Sequence, residues 1–190
     1  MTPPTAAEFL QTRRSVPAKM LTLPVPDRAA LAPLLTAAAR SPDHGKLEPW
    51  RFIVLEKGAM ARLADMAEAR AAELGLDADR TAKGRGQYDS GNLAVVVVSC
   101  PITSDKIPEI EQIYSAGAVC LSLLNAALAA GWGANWLSGW PSHDATFRAT
   151  ALGLTDAERV AGIIHIGTAS QTPPDRPRPD LGKLTTWVSE

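Results

Sequence analysis

The stretch Leu93 to Ser99, Leu-Ala-Val-Val-Val-Val-Ser, constrains the fold more than any other part of the chain. Alternate residues of a strand point to opposite faces, and here both faces are apolar. Such a strand has to be covered on both sides, which places it at the centre of a sheet. It is far too short to cross a bilayer as a helix. The chain's 190 residues suffice for one domain with a real core. The 46% hydrophobic and 21% charged residues are those of an ordinary globular protein.

The elements around the strand follow from local signals. Thr5 with Glu8 three residues later is a capping-box pattern, opening a helix to about Gln11 or Arg13. The prolines of Leu21 to Pro26 keep that segment extended. Asp27 can cap a helix with Leu31, Leu34, Leu35 and Ala38 on one face, in which Pro33 is awkward. Ser41 to Trp50 reads as a loop, Arg51 to Glu56 as a strand and Gly58 to Leu74 as a helix. The polar, glycine-containing run from Gly75 to Gly91 reads as a mobile connection. Glu109 to Ala130 is small or apolar almost all round, so the helix it forms is buried or packs closely on another. Gly133 to Gly139 reads as a strand entering a glycine turn, Asp144 to Leu152 as a short helix and Val160 to Gly167 as a strand. The proline-rich arm that follows, about residues 171–190, cannot form a core element alone, and Thr185 to Ser189 has strand character. With no repeat and no linker, 1–190 reads as a single α+β domain.

Several chemistries are excluded. The net charge of −1 gives no bulk attraction to nucleic acid or an acidic membrane. There is no signal-peptide pattern at the N-terminus, and the cytoplasm is the default compartment. Cys100 and Cys120 sit in apolar surroundings and read as buried free thiols, with a disulfide as the alternative that a chain of this size does not need. His44, His143 and His165 lack metal-ligand spacing, and His165 alternates within an apolar strand as a core histidine. Neither a nucleophile elbow nor a Gly-x-Gly-x-x-Gly follows a strand, so no side-chain nucleophile or Rossmann site is expected.

What remains is a set of anion-binding elements: Arg13-Arg14-Ser15, Arg40 with the Ser41-to-Lys46 loop, and Arg176 and Arg178 in the arm. Guanidinium groups meet phosphate through paired N–H donors, and a serine hydroxyl adds one more. An arginine at a helix end also commonly just complements the dipole.

The motifs and their order resemble those of the FMN-dependent nitroreductases. They are RRSV after the first helix, AAARSPDHGKLEPWRFIVL, LAVVVVS, YSAGAV, AALAAGWGANWLSG and IIHIGTASQTPPDRPRP. The Pro-Asp-His loop is similar to that of the small NAD(P)H nitroreductase branch. The resemblance implies a central mixed sheet flanked by helices, with the C-terminal arm exchanged between the subunits of a homodimer. It implies FMN as cofactor and NADH or NADPH as reductant, with a small-molecule acceptor such as a nitroaromatic or quinone. Arg13, Arg14 and Ser15 then hold the FMN phosphate and ribityl chain. Arg40 and His44 reach FMN across the dimer interface, and Trp136, Leu137 and Ser138 lie along the isoalloxazine ring. Ala126, Ala127, Leu128, Ala129, Ala130 and Gly131 match a stretch assigned to nicotinamide contact, although they also read as plain helix packing. Arg178, with Arg176 as the alternative, matches a C-terminal arginine that meets the phosphate. No residue is catalytic in its own right: hydride passes to flavin N5 and electrons leave it for the acceptor in a ping-pong cycle. Glu48 stands where many members carry an amide and is expected at the loop surface or paired with Lys46. Trp136, Trp140 and Tyr114 are candidates to line the pocket, with Trp50 and Trp132 in the core. The alternatives are another flavin reaction on the same fold or a flavin-binding dimer without turnover.

Overall fold

The computed structural model describes residues 4–190. The central strand is β3, Leu93–Ser99, and every residue of it is buried. Leu93, Val95 and Val97 enter one core cluster with Leu31, Leu34, Val119, Leu123 and Ile164. Ala94, Val96 and Val98 enter a second with Met60, Leu63, Tyr88, Phe147 and Ile163. Strand alternation thus builds one core on each face of the sheet.

β3 lies between β2 (Trp50–Glu56) and β5 (Arg159–Ala169). β5 also pairs with β4 (Gly133–Leu137) and, at its end, with β1 (Leu21–Thr22). All four ladders are antiparallel, so within the chain the sheet is antiparallel and not mixed. The connections explain this. Two consecutive helices, α3 (Lys57–Glu73) and α4 (Ala78–Asp89), carry the chain out and back between β2 and β3. The single helix α5 (Glu109–Ala129) links β3 to β4, and β5 then runs back between them.

The caps work as the sequence reads. Thr5 and Glu8 form the capping box of α1 (Ala6–Thr12). Asp27 accepts from Ala30 N–H at the start of α2 (Arg28–Ala38), with Pro33 accommodated inside that helix. Asp144 likewise caps α7 (Ala145–Leu152), after a short turn, α6 (Trp140–His143). The α5 helix is long and apolar enough by composition to cross a membrane. Here it is the core helix, burying Ala116, Val119, Cys120, Leu123, Leu124 and Ala127. Its other side leaves Ile110, Ile113, Tyr114 and Leu121 exposed.

Two expectations are overturned. The Gly75-to-Gly91 run is not a loop: α4 occupies most of it, capped by Asp77. Two glycines lower its intrinsic helix propensity, but packing decides otherwise. Tyr88 is fully buried against Phe147, with ring centroids 5.8 Å apart. Gly84 admits the Trp140 indole, which a Cβ there would strike. Arg85 ties the helix to Asp65 at 2.9 Å and to Glu68 of α3. Nor is Thr185–Ser189 a strand within the chain. After a short turn, α8 (Leu181–Leu184), the last residues have no ladder partner, and Trp187 is 91% exposed. Strand propensity without a neighbouring strand leaves the backbone groups to water.

Candidate functional site

The segment after α1 leaves the helix at Arg13, and Val16 N–H donates to the Ala134 carbonyl at 2.9 Å, laying Ser15–Pro17 beside β4. That brings Arg13, Arg14 and Ser15 to the same cavity as Trp136 and Ser138. Its volume is about 560 Å³, and Pro17, Leu124, Asn135 and Arg176 complete the lining. No carboxylate lines it. Among the described residues Arg13, Arg14 and Arg176 form no ion pair with any acid. Arg13 donates to Ser15 Oγ at 3.0 Å, while its buried Nε has no partner. Burial, and then the charge of Arg14, press the Arg13 guanidinium below its ordinary pKa. Arg14 Nε donates to the Pro174 carbonyl at 3.0 Å, which folds the arm over this end of the cavity. Arg13 and Arg14 are half-buried and Arg176 is exposed at the rim, and a guanidinium cluster with donors to spare is a site for an anion with several acceptor oxygens.

Strand alternation divides the Trp136–Ser138 segment between two cavities. Trp136 faces the arginine cavity, whereas Leu137 faces a second one of about 440 Å³. Ser138 lines both. Arg80, Lys83, Gly86 and Gln87 of α4 form the far wall of the second, with Gly139 and Trp140. Gln87 is buried with its Nε2 unpartnered, and its amide packs on the α-carbon of Gly139. Trp140 Nε1 donates to the Arg80 carbonyl at 3.0 Å. Ser138 Oγ and His143 Nε2 are 3.1 Å apart at the mouth.

The α4 wall and Asn135 are absent from the sequence reading. The signals were an Asp77 cap and a polar residue in an apolar strand, the first masked by the two glycines. Other expected residues fall elsewhere. Arg178 does not line the arginine cavity: it donates to Asp175 at 2.9 Å and to the Gln11 carbonyl at 3.2 Å, while Arg176 faces inward. Arg40 lines a separate cavity with Asp43, Lys46, Glu48 and Trp50. His44 is exposed and meets Glu111 at 2.6 Å. Within one chain neither joins the Arg13 cluster. Glu48 is exposed and not ion-paired with Lys46; its N–H donates to Asp43. Ala127 is buried, Ala126 and Leu128 pack against the core, and Ala129, Ala130 and Gly131 are exposed at the end of α5. Trp132 and Trp50 pack on the core as expected. Tyr114 is 68% exposed.

Residues 10–168 match the model of the Nitroreductase family. A relative from Haemophilus influenzae, named "Putative NAD(P)H nitroreductase", is 34% identical over 167 residues, covering 87% of this chain and 89% of that protein. The nitroreductase-like family protein from Bacillus cereus superposes with a TM-score of 0.80 at 23% identity, covering 99% of this chain and 98% of that one. The FMN and NADPH-dependent nitroreductase NfnB from sphigopyxis sp. strain HMH gives a TM-score of 0.72 at 23% identity, covering 98% and 100%. At that identity the two structures speak for the fold alone. The family model and the Haemophilus relative carry further, spanning most of the chain from the first arginine to the last core strand: the chain belongs to the nitroreductase family.

Proposed function

We propose that this chain is an FMN-dependent oxidoreductase that takes electrons from NADH or NADPH and delivers them to a small-molecule acceptor, with nitroaromatics and quinones as the substrate classes. The observation that carries the proposal is the arginine cavity. Arg13, Arg14 and Arg176 face one space with Ser15 and no acid, and the buried Arg13 Nε has no partner. A flavin phosphate fits that donor set, since it brings acceptor oxygens and negative charge to the unused N–H groups. FMN, when bound, supplies the hydride and electron chemistry.

The chain's own residues then hold and orient the cofactor. Arg13, Arg14 and Ser15 take the phosphate end. Arg176 joins them in place of Arg178, whose guanidinium is engaged by Asp175 and Gln11. Trp136, Leu137 and Ser138 lie along the ring. The second cavity meets the first at Ser138, so Arg80 and Gln87 supply positive charge and N–H donors on the ring's far side, while Lys83 of the same wall is paired with Asp79 at 2.6 Å. A nicotinamide contact from the Ala126–Gly131 stretch falls to its exposed end, Ala129, Ala130 and Gly131.

The working form in this proposal is a cytoplasmic homodimer. The exposed stripe Ile110, Ile113, Tyr114 and Leu121 on α5 supports a second copy as its cover. Arg40 and His44, apart from the Arg13 cluster in one chain, then reach the cofactor of the other subunit. The arm, with Trp187 and Val188 exposed, adds its last residues to the partner's sheet edge. The burial of one face of α5 in the core supports a soluble chain.

The purified protein tests the core of this reading. It should be yellow, release FMN on heating, and bleach under NADH or NADPH without air. A colourless protein with no affinity for added FMN overturns it. A protein that stays yellow with both nucleotides is a flavin-binding dimer without turnover.

A further inference from the structure

The Ser41–Trp50 loop is pinned by four hydrogen bonds to three residues, Glu111, Ser115 and Ser122, along one side of α5. Ser122 Oγ meets Ser41 Oγ at 2.8 Å, and Ser115 Oγ donates to the Pro42 carbonyl at 2.7 Å. Trp50 Nε1, at the end of the loop, donates to the same Ser115 hydroxyl at 3.2 Å. Glu111 Oε2 then meets His44 Nδ1 at 2.6 Å. Gly45 continues the turn at φ 75°, where its α-carbon packs on Ile107 so closely that a Cβ would collide with the Ile107 side chain. The segment before α5 is itself fixed by buried Gln112, which accepts from Ile102 N–H at 2.8 Å and donates to the Ile102 carbonyl at 2.9 Å. The loop and the first turns of α5 therefore form one frame, and Glu111 is the only side chain of that frame bonded to the imidazole.

We infer that Glu111 is a positioning residue for His44, holding the ring by Nδ1 so that Nε2 faces outward toward a ligand. A carboxylate accepts only, so Nδ1 carries the proton at this bond, and the tautomer of a histidine follows from the partner of its other nitrogen. The pair presents Nε2 either as the acceptor of a neutral ring or as the donor of a charged one, in a fixed direction in both cases. The inference rests on the reading that His44 reaches the FMN of the second subunit. Nothing in it requires Glu111 to touch FMN.

FMN titrated into the apo dimers of wild type, His44→Ala, Glu111→Ala and the double variant separates the two. His44→Ala should weaken FMN binding about three- to tenfold, the loss of one hydrogen bond. Glu111→Ala should give a smaller loss of the same sign, with none in the His44→Ala background, because it acts only through the ring. The melting temperature of the apo protein should move little, as a pair exposed within its own chain adds little to the stability of that chain. ¹⁵N NMR of the His44 ring should show Nδ1 protonated in the wild type and that preference lost in Glu111→Ala. Unchanged FMN affinity in His44→Ala overturns the reading of His44, and the inference with it. A loss in His44→Ala with none in Glu111→Ala, or additive losses in the double variant, overturns the role of Glu111 alone.

Discussion

The indole of Trp136 packs against the α-carbon of Gly162, one strand away, so closely that any side chain at 162 would collide with Nε1 and the neighbouring ring atoms. The glycine sits beside the register shift between Val97 and Val98, where β5 bulges against β3. It therefore sets how far the Trp136 ring stands into the arginine cavity. Gly162→Ala should push the ring outward and destabilise the fold by about 1–3 kcal/mol. Urea denaturation reads the stability, and the change in tryptophan emission reads the ring. Unchanged emission with unchanged FMN affinity would show that Trp136 does not wall the site.

The arginines can be ranked by what already engages them. Arg13→Ala and Arg176→Ala should each lose a charge-assisted contact of about 1.5–3 kcal/mol, or roughly tenfold or more in FMN affinity. Arg178→Ala should leave affinity nearly unchanged, because Asp175 and the Gln11 carbonyl hold that guanidinium. Titration of the apo proteins checks the order. Equal losses for Arg176 and Arg178 would mean that the arm rearranges when FMN binds.

In the proposed cycle one site, at the two cavities that meet at Ser138, serves reductant and acceptor in turn. Initial rates at several acceptor concentrations should give parallel double-reciprocal lines. Converging lines would require both substrates to be bound together.

The arm has no packed contact for its last residues in one chain. Removing Leu184 to Glu190 should weaken both the dimer and flavin retention, although no deleted residue lines the arginine cavity. Size-exclusion chromatography followed at the flavin absorbance reads both at once. A truncated protein that stays dimeric and yellow shows that the end of the arm is dispensable.

His165 gives the stability a pH dependence. The ring is fully buried on β5 with no well-formed hydrogen bond, and burial, only partly opposed by the Gln87 backbone nearby, pushes its pKa down to about 4. Below the ordinary histidine value of about 6.5 the unfolded chain takes a proton that the folded one refuses, so stability falls with pH until the folded ring titrates too. The loss should be on the order of 3 kcal/mol between about pH 6.5 and 4. Glu158, bonded to Arg51 at 2.6 Å and held at a pKa of about 2, adds a further loss below the normal carboxylate range. Urea midpoints across this range should fall in the wild type and stay flatter in His165→Leu above pH 4.5. Parallel curves would place the acid sensitivity elsewhere.

The amino-acid sequence by itself determined the parts whose physics is local or periodic. Thr5 and Asp27 cap helices because the N–H they satisfy is three residues away. Leu93 to Ser99 is central because both of its faces are apolar wherever the chain goes. Arg13, Arg14 and Ser15 are a donor cluster by adjacency alone. Tertiary structure decided what depends on partners distant along the chain. The Gly75-to-Gly91 run became α4 because Tyr88, Gly84 and Arg85 found Phe147, Trp140 and the acids of α3, outweighing two glycines. Arg176 faces the cavity and Arg178 does not, because Asp175 and the Gln11 carbonyl, the latter 167 residues away, hold Arg178. Thr185 to Ser189 has the composition of a strand but no strand beside it in the chain, and a ladder needs two.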